Sequence, residues 1–301
     1  VRHKDGSFDL TPLIAGSQGT LGVISEVVLN TEFYNPDDVQ AVVTTKDVTK
    51  AYEVAEAVRK LEPATLEIYD GELFRQAARA GVRFEVLGDV EEVGAVIYLR
   101  FSDFSDHARK TKLRRLKKAL EKEKLASVDS IGRNRDEFLP VTQISAVLET
   151  SDDKATFLPI LQGISVASDS RAAVYDAIAE VAAKHHMMLP TEENVLTGVV
   201  NVYPALKISS VSEKQKLFKL MNDVATAVNK AGGAFVGDGA EGRLKANAAW
   251  AQLDDDVADM YTKIREIFDP FGILNPGVKQ KNELKKLVSA LQTNYEPTGL
   301  L

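Results

Sequence analysis

A chain of 301 residues with 45% hydrophobic and 27% charged residues buries a sizeable core and, by ordinary domain sizes, forms one large or two modest domains. The absence of cysteine excludes disulfides, cysteine-ligated iron–sulfur clusters and thiol catalysis within it. A formal charge of −7 argues against broad binding to nucleic acid or anionic membranes, and no segment approaches about 18 uninterrupted apolar residues, so no helical membrane span is expected.

In chain order, Val23 to Leu29 is apolar enough to predict a buried strand. Val39–Thr44 predicts a strand, Val48–Leu61 a helix with Tyr52, Ala55 and Val58 on one face, Leu66–Tyr69 a strand and Gly71–Ala80 a helix. Val93–Phe101 is a strongly apolar strand. Asp106–Lys124 is a long helix begun by Ser105 or Asp106, and its basic run from His107 to Lys118 is interleaved and followed by Leu113, Leu116 and Leu120 at helical spacing, the pattern of a solvated amphipathic face. Further on, Arg135–Leu148 predicts a helix, Ile160–Val166 a strand, Ser170–His185 a helix and Val195–Tyr203 a strand. Ser212–Ala231 is a helix ended by Gly232-Gly233, and Asp254–Phe268 is the last long one. Strand–helix–strand–strand units of this kind predict an α+β fold, an antiparallel sheet with helices on one face, and no internal repeat is evident.

Near the start, Ala15-Gly16-Ser17-Gln18-Gly19-Thr20-Leu21-Gly22-Val23-Ile24 places three glycines within seven residues, with Ser and Thr between them. Such a segment reaches positive φ and brings bare N–H groups close to a flat or phosphorylated ligand; as composition alone it is a turn before a strand. Together with Ser25-Glu26-Val27 it resembles a segment of the FAD-linked oxidases and dehydrogenases of the vanillyl-alcohol-oxidase, D-lactate dehydrogenase and glycolate oxidase type, where it contacts the flavin. The resemblance implies cofactor contacts at Gly16, Ser17, Gly19, Thr20, Gly22, Val23 and Ile24. The family's Gly-rich pyrophosphate loop lies upstream of this segment. With no initiator Met before Val1-Arg2-His3, the chain is expected to be the carboxy-terminal portion of a longer flavoenzyme, holding FAD weakly or not at all by itself.

A second motif, Asp269-Pro270-Phe271-Gly272-Ile273-Leu274-Asn275-Pro276-Gly277-Val278-Lys279, stops a helix and makes two turns. It is similar to the terminal signature of the same family, which implies that Asn275 lies near the isoalloxazine. The resemblance also divides the chain into a remnant of the FAD-binding domain (1–36, with Asn35-Pro36 as linker), a ferredoxin-like α+β cap over the flavin (37–232) and a return segment (233–301).

The turn Gly237-Asp238-Gly239-Ala240-Glu241-Gly242-Arg243-Leu244-Lys245 stands where many relatives carry a Glu-His pair, and the region Glu193–Pro204 stands where relatives carry a His-rich strand; neither has histidine here. Zinc-type metals are therefore not expected. Asp238 and Glu241 are acceptable to a hard cation, but two loop carboxylates are ordinarily solvated, and no metal site is expected. His185-His186 suit a helix C-terminus, and no histidine serves as a base toward a substrate hydroxyl, so the catalytic group is not identified. Arg243 and Lys245 are the expected holders of a substrate carboxylate, Arg243 through its bidentate fork. Arg133 and Arg135 are further candidates for which surface ion pairing is the default. The resemblance implies oxidation of a small 2-hydroxy acid (D-lactate or glycolate type) with hydride transfer to FAD, the other partner being the missing N-terminal FAD half or an electron acceptor, in a cytoplasmic or peripherally membrane-associated protein. The alternative is a non-catalytic chain, or a subunit completed by a polypeptide that carries the FAD half.

Overall fold

The computed structural model describes residues 2–31, 33, 35, 37–122, 128–151 and 160–291. Four strands form the first half of its sheet: β1 (Val39–Thr45), β2 (Thr65–Asp70), β3 (Ala95–Phe101) and β4 (Ser130–Gly132). They lie in the order β4-β1-β3-β2, every neighbour antiparallel. Helices α2 (Val48–Arg59) and α4 (Asp106–Lys122) connect β1 to β2 and β3 to β4, the βαββαβ arrangement of a ferredoxin-like unit; a four-residue helix, α1 (Thr11–Ile14), precedes them.

Three more strands, β5 (Ile164–Ser165), β6 (Thr191–Asn194) and β7 (Val199–Val202), repeat the pattern with α7 (Arg171–His185) and α8 (Val211–Lys230) as connectors. Their order is β6-β7-β5, and a single bridge from Ser165 to Ala234 stands where a fourth strand would be. Pairing of β2 with β6 joins the halves into one sheet of seven strands among the described residues, with Ile68 opposite Glu193. The fold is α+β, as the element pattern predicts. The duplication is a correction to the reading of the sequence: it resides in topology, with no matching sequence repeat.

Helices also cover both faces, where one was expected. On one face α2 buries Ala51, Val54, Ala55 and Val58 at i, i+3, i+4 and i+7 against Ala41, Val43, Ile68, Ile97 and Leu99, joined by Leu116 and Leu120 of α4. The second half continues this layer, with α7 and α8 packed on Ile164, Val200 and Val202. On the opposite face α3 (Gly71–Arg79), α5 (Leu139–Thr142) and α6 (Ile144–Ser151) cover Val42, Tyr69, Val96 and Tyr98. Because β1, β2 and β3 are buried on both sides they read as near-continuous apolar runs, and alternation does not reveal the second helical layer.

Capping explains the helix starts. Asp47 accepts from Lys50 N at 2.7 Å, Ser105 from Ala108 N at 3.3 Å, and Ser210 with Glu213 closes a reciprocal box on α8. The single helix expected over Arg135–Leu148 is broken into a 3-10 turn (Asp136–Phe138), α5 and α6, with Pro140 placed at the start of α5. The strand expected over 160–166 shrinks to two residues, and Val195–Tyr203 resolves into β7 preceded by a hairpin turn from a strand that pattern reading misses, β6.

The buried strand expected at Val23–Leu29 is not formed. These residues pair with no strand, and their side chains are exposed, Val23 by 87% and Val28 by 91%. Apolar alternation reports a need for a partner, and among the described residues none is offered. The chain closes with α9 (Ala246–Trp250), α10 (Asp255–Phe268) and α11 (Leu284–Ala290).

Candidate functional site

The two end motifs meet in a knot. Asn275 Nδ2 donates to the Gln18 carbonyl at 2.6 Å across 257 residues of sequence. Gln18 Nε2 donates to Glu241 at 2.8 Å, and Gly242 N donates to Gln18 Oε1 at 2.9 Å, so one side chain ties the N-terminal motif to the Gly237–Lys245 turn. Lys279 completes the ring, its ammonium 2.9 Å from Glu241 and its N–H on the Gly242 carbonyl. Gln18, Asn275 and Lys279 hold φ of 54°, 39° and 52°, three of the five non-glycine residues at positive φ among those described. Such conformations cost of order 1 kcal/mol or more each and persist where surrounding contacts over-determine them.

Gly16, Ser17 and Thr20 line a cavity of about 390 Å³ together with Trp250, Tyr261 and Arg265. Gly19 lies outside it against Asn275, whose Nδ2 would be 3.7 Å from a Cβ at that glycine. Among the described residues, the N–H groups of Gly19, Leu21, Gly22, Val23 and Ile24 donate to no acceptor, leaving a run of open donors beside the knot. Arg243 is exposed beside Gly277, with no carboxylate at ion-pair distance among the described residues. Lys245 is only 6% exposed, its ammonium donating to the Gln162 carbonyl at 2.9 Å and its pKa lowered by burial against the pull of Glu241 and Asp238. That geometry fastens the turn to the sheet through Lys245. Arg133 pairs with Asp106 at 2.6 Å, and Arg135 with Asp38. Glu241, considered for a hard cation, is occupied by Gln18 and Lys279, and no group of three or more metal-ligating side chains converges among the described residues.

A polar lane that the sequence did not reveal crosses the sheet on the face of α3, α5 and α6. Cross-strand rows align Gln40, Arg100 and Thr65, then Tyr98, Glu67 and Asn194, then Tyr69, Glu192 and Asn201. Tyr69 donates to Glu67 at 2.6 Å, Tyr203 to Glu192 at 2.6 Å, Tyr98 to Gln40 at 2.7 Å and Arg100 to Asp38 at 2.6 Å. Burial raises the pKa of Glu67 over the opposing pull of the Tyr69 hydroxyl and Arg100, and raises that of Glu192 likewise, with the Glu67 charge adding to it. Tyr98 is pushed up to about 12, chiefly by burial. At the far end Asn201 accepts from Gly163 N at 2.9 Å, and the Gly163 carbonyl accepts from Gly237 and Asp238, so the lane runs into the turn that carries the knot. In sequence, Glu67 and Tyr69 alternate with Leu66 and Ile68 as they would on an ordinary solvent face; nothing in the pattern marks that face as half-buried.

On the opposite face Glu193 fastens the halves together. It is 1% exposed and accepts from Tyr52 of α2, from Arg171 at 2.9 Å and from Tyr175 of α7 at 2.9 Å. His185 ends α7 bonded to Asp223 of α8 at 2.7 Å, and His186 follows it in the left-handed region, so both histidines occupy the expected helix terminus.

The fold and the knot define a class: a doubled ferredoxin-like α+β unit on which the two end motifs are brought together. The chain belongs to the FAD linked oxidases, C-terminal domain family, whose model matches residues 35–278. FAD is the cofactor this family implies for the full protein. The chain is 24% identical over 298 residues to the glycolate oxidase subunit GlcD of Bacillus subtilis (strain 168), covering 94% of this chain and 59% of that one. It is 24% identical to the D-2-hydroxyglutarate dehydrogenase of Haemophilus influenzae, covering 98% and 30% respectively, so it spans little more than half the length of the first relative and less of the second. Among solved structures, p-cresol methylhydroxylase with substrate bound superposes with a TM-score of 0.60 at 12% identity, over 81% of this chain and 53% of that one. An alkyldihydroxyacetonephosphate synthase gives 0.57 at 15%, over 90% and 50%; both likenesses are of fold. No helix among the described residues is long and apolar enough to cross a membrane.

Proposed function

We propose that this chain is the cap and return portion of an FAD-dependent oxidoreductase that oxidises a small 2-hydroxy acid of the D-lactate or glycolate type. The observation that carries the reading is the knot: two motifs that resemble flavin-contacting segments close on each other through Gln18 and Asn275, beside a run of unspent N–H donors. Gly16, Ser17, Gly19, Thr20, Gly22, Val23, Ile24 and Asn275 are proposed to line the cofactor, and Arg243 to hold an anionic group of a bound ligand. When bound, FAD supplies the two-electron oxidant that accepts hydride from the substrate carbon. The names of the two hydroxy-acid relatives support the substrate class.

A partner is part of the proposal. Val23, Val27, Val28 and Leu29 are exposed apolar side chains on a segment without ladder bonds, and the flavin-binding half supplies the strand and cover they lack. The test is anaerobic: the flavin-loaded complete protein is mixed with a panel of 2-hydroxy acids and its absorbance near 450 nm followed. Bleaching by at least one hydroxy acid is the expected result. An oxidised spectrum unchanged by every member would overturn the reading in favour of a non-catalytic chain.

A further inference from the structure

The lane of polar side chains on the sheet supplies the group that the histidine-poor sequence could not. We propose that Glu67 accepts the proton of the substrate hydroxyl, and that Arg100, its diagonal neighbour on β3, holds the substrate carboxylate. The inference rests on the 2-hydroxy-acid reading above and deepens it.

Geometry carries the assignment. Glu67 lies on β2, in the middle of the sheet, flanked in register by Tyr98 and Asn194. Arg100 pairs with Thr65, two residues along the same strand, which sets the Cβ atoms of Arg100 and Glu67 on one face at roughly 7 Å, by the diagonal spacing of antiparallel strands. That separation suits a molecule whose carboxylate and hydroxyl sit on adjacent carbons, with a side chain reaching toward each.

Arg100 is oriented but not used up. Its Nη1 donates to Asp38 at 2.6 Å and its Nε to Thr65 Oγ1 at 3.2 Å, and Nη2 has no partner among the described residues. Two further polar atoms on this face are buried without a partner among the described residues: Gln40 Nε2, in a residue only 2% exposed, and Asp38 Oδ1. A buried amide without an acceptor is costly, and a carboxylate on Arg100 brings an acceptor to the strand position beside it. Glu67 and Arg100 are each partly exposed.

The groups that face Glu67 are Tyr69 on its own strand, Tyr98 and Arg100 on β3, Glu192 on β6, and Asp38 with Arg135 beyond Arg100. Burial opposes ionisation of Glu67, and the Tyr69 hydroxyl and Arg100 favour it, which leaves a carboxylate more basic than a free one and better suited to take a proton. In the step, the hydroxyl O–H proton would pass to the Glu67 carboxylate while the C2–H bond breaks with its electron pair leaving on hydrogen as hydride, for which bound FAD would supply the two-electron acceptor. A 2-keto acid and a protonated Glu67 result, and Glu67 then releases its proton to water.

The test uses the flavin-loaded complete protein and a hydroxy acid that bleaches it, with two readouts: the bleaching rate against pH, and the affinity of the matching 2-keto acid by calorimetry. Glu67→Gln is expected to slow bleaching by about 100-fold or more and to abolish the acid limb of the profile, with keto-acid affinity held within about threefold. Arg100→Lys is expected to weaken keto-acid binding about ten- to a hundredfold. Tyr69→Phe removes only a hydroxyl and tests Glu67 without altering it: the acid limb is expected to move to higher pH, because the lost hydrogen bond favours the carboxylate. Bleaching by Glu67→Gln at the parent rate with the parent profile, or an unmoved limb in Tyr69→Phe, overturns Glu67 as the base. Keto-acid affinity unchanged in Arg100→Lys overturns the anchor. A parent that no hydroxy acid bleaches overturns the functional reading itself, and this inference with it.

Discussion

Replacing Glu193 by Leu asks how firmly the two ferredoxin-like halves are joined. Its carboxylate receives the Tyr52 and Tyr175 hydroxyls and the Arg171 guanidinium, at the strand position opposite Ile68 on the β2–β6 seam. The substitution strands a largely buried Arg171 and two half-buried phenols. Hydrogen bonds to a charged group are worth about 1.5–3 kcal/mol each, but their loss is not additive, and breaking one partner of a buried ion pair costs about 3–5 kcal/mol, which is the figure expected here. Replacing both partners, Glu193→Leu with Arg171→Met, removes the orphaned charge and is expected to recover at least half of that loss. Urea unfolding of parent, singles and double, followed by far-UV circular dichroism, gives the cycle. A single variant within about 1 kcal/mol of the parent, or a double that loses as much as the two singles summed, would refute the claim that this cluster fastens the seam.

Gly163 sits at φ +78° with the Asp238 carbonyl 2.1 Å from where a Cβ would lie, whereas Gly239 at +70° has open space; Gly163→Ala is expected to cost about 2–4 kcal/mol and Gly239→Ala about 1, and equal urea midpoints would contradict the contact. Gln18→Ala removes two side-chain bonds from the knot and is expected to weaken FAD retention about tenfold in the complete protein with an unchanged far-UV spectrum; equilibrium dialysis showing parent affinity would separate the knot from the flavin. Glu67 has a folded pKa raised above its unfolded value near 4.5, so its contribution to stability is fully present below about pH 4.5 and is lost as pH rises through the folded value. Glu67→Gln, permanently neutral, should therefore match the parent in thermal midpoint near pH 4 and exceed it near pH 8, and a parent that gains on the variant between those pH values would show the sign to be wrong.

By itself the sequence determined what is local. Periodicity located α2, α7, α8 and α10 to within about two residues, because apolar spacing acts within one or two turns of chain. The two end motifs were legible for the same reason, as contiguous strings. Tertiary structure decided everything that depends on which segments become neighbours. The doubling of the fold is written in strand order, through the β2–β6 pairing, and not in a repeated string. Val23–Leu29 has the composition of a strand, yet a strand exists only where another supplies its ladder. Lys245 resembles an available cation until the turn places its ammonium on the Gln162 carbonyl. Glu67, Arg100 and Glu192 are separated by up to 125 residues and look like ordinary surface charges, since one letter in two along a strand says which face a side chain takes but not what covers that face. The lane they form exists because antiparallel pairing sets them side by side beneath helices that carry no sequence mark of their destination.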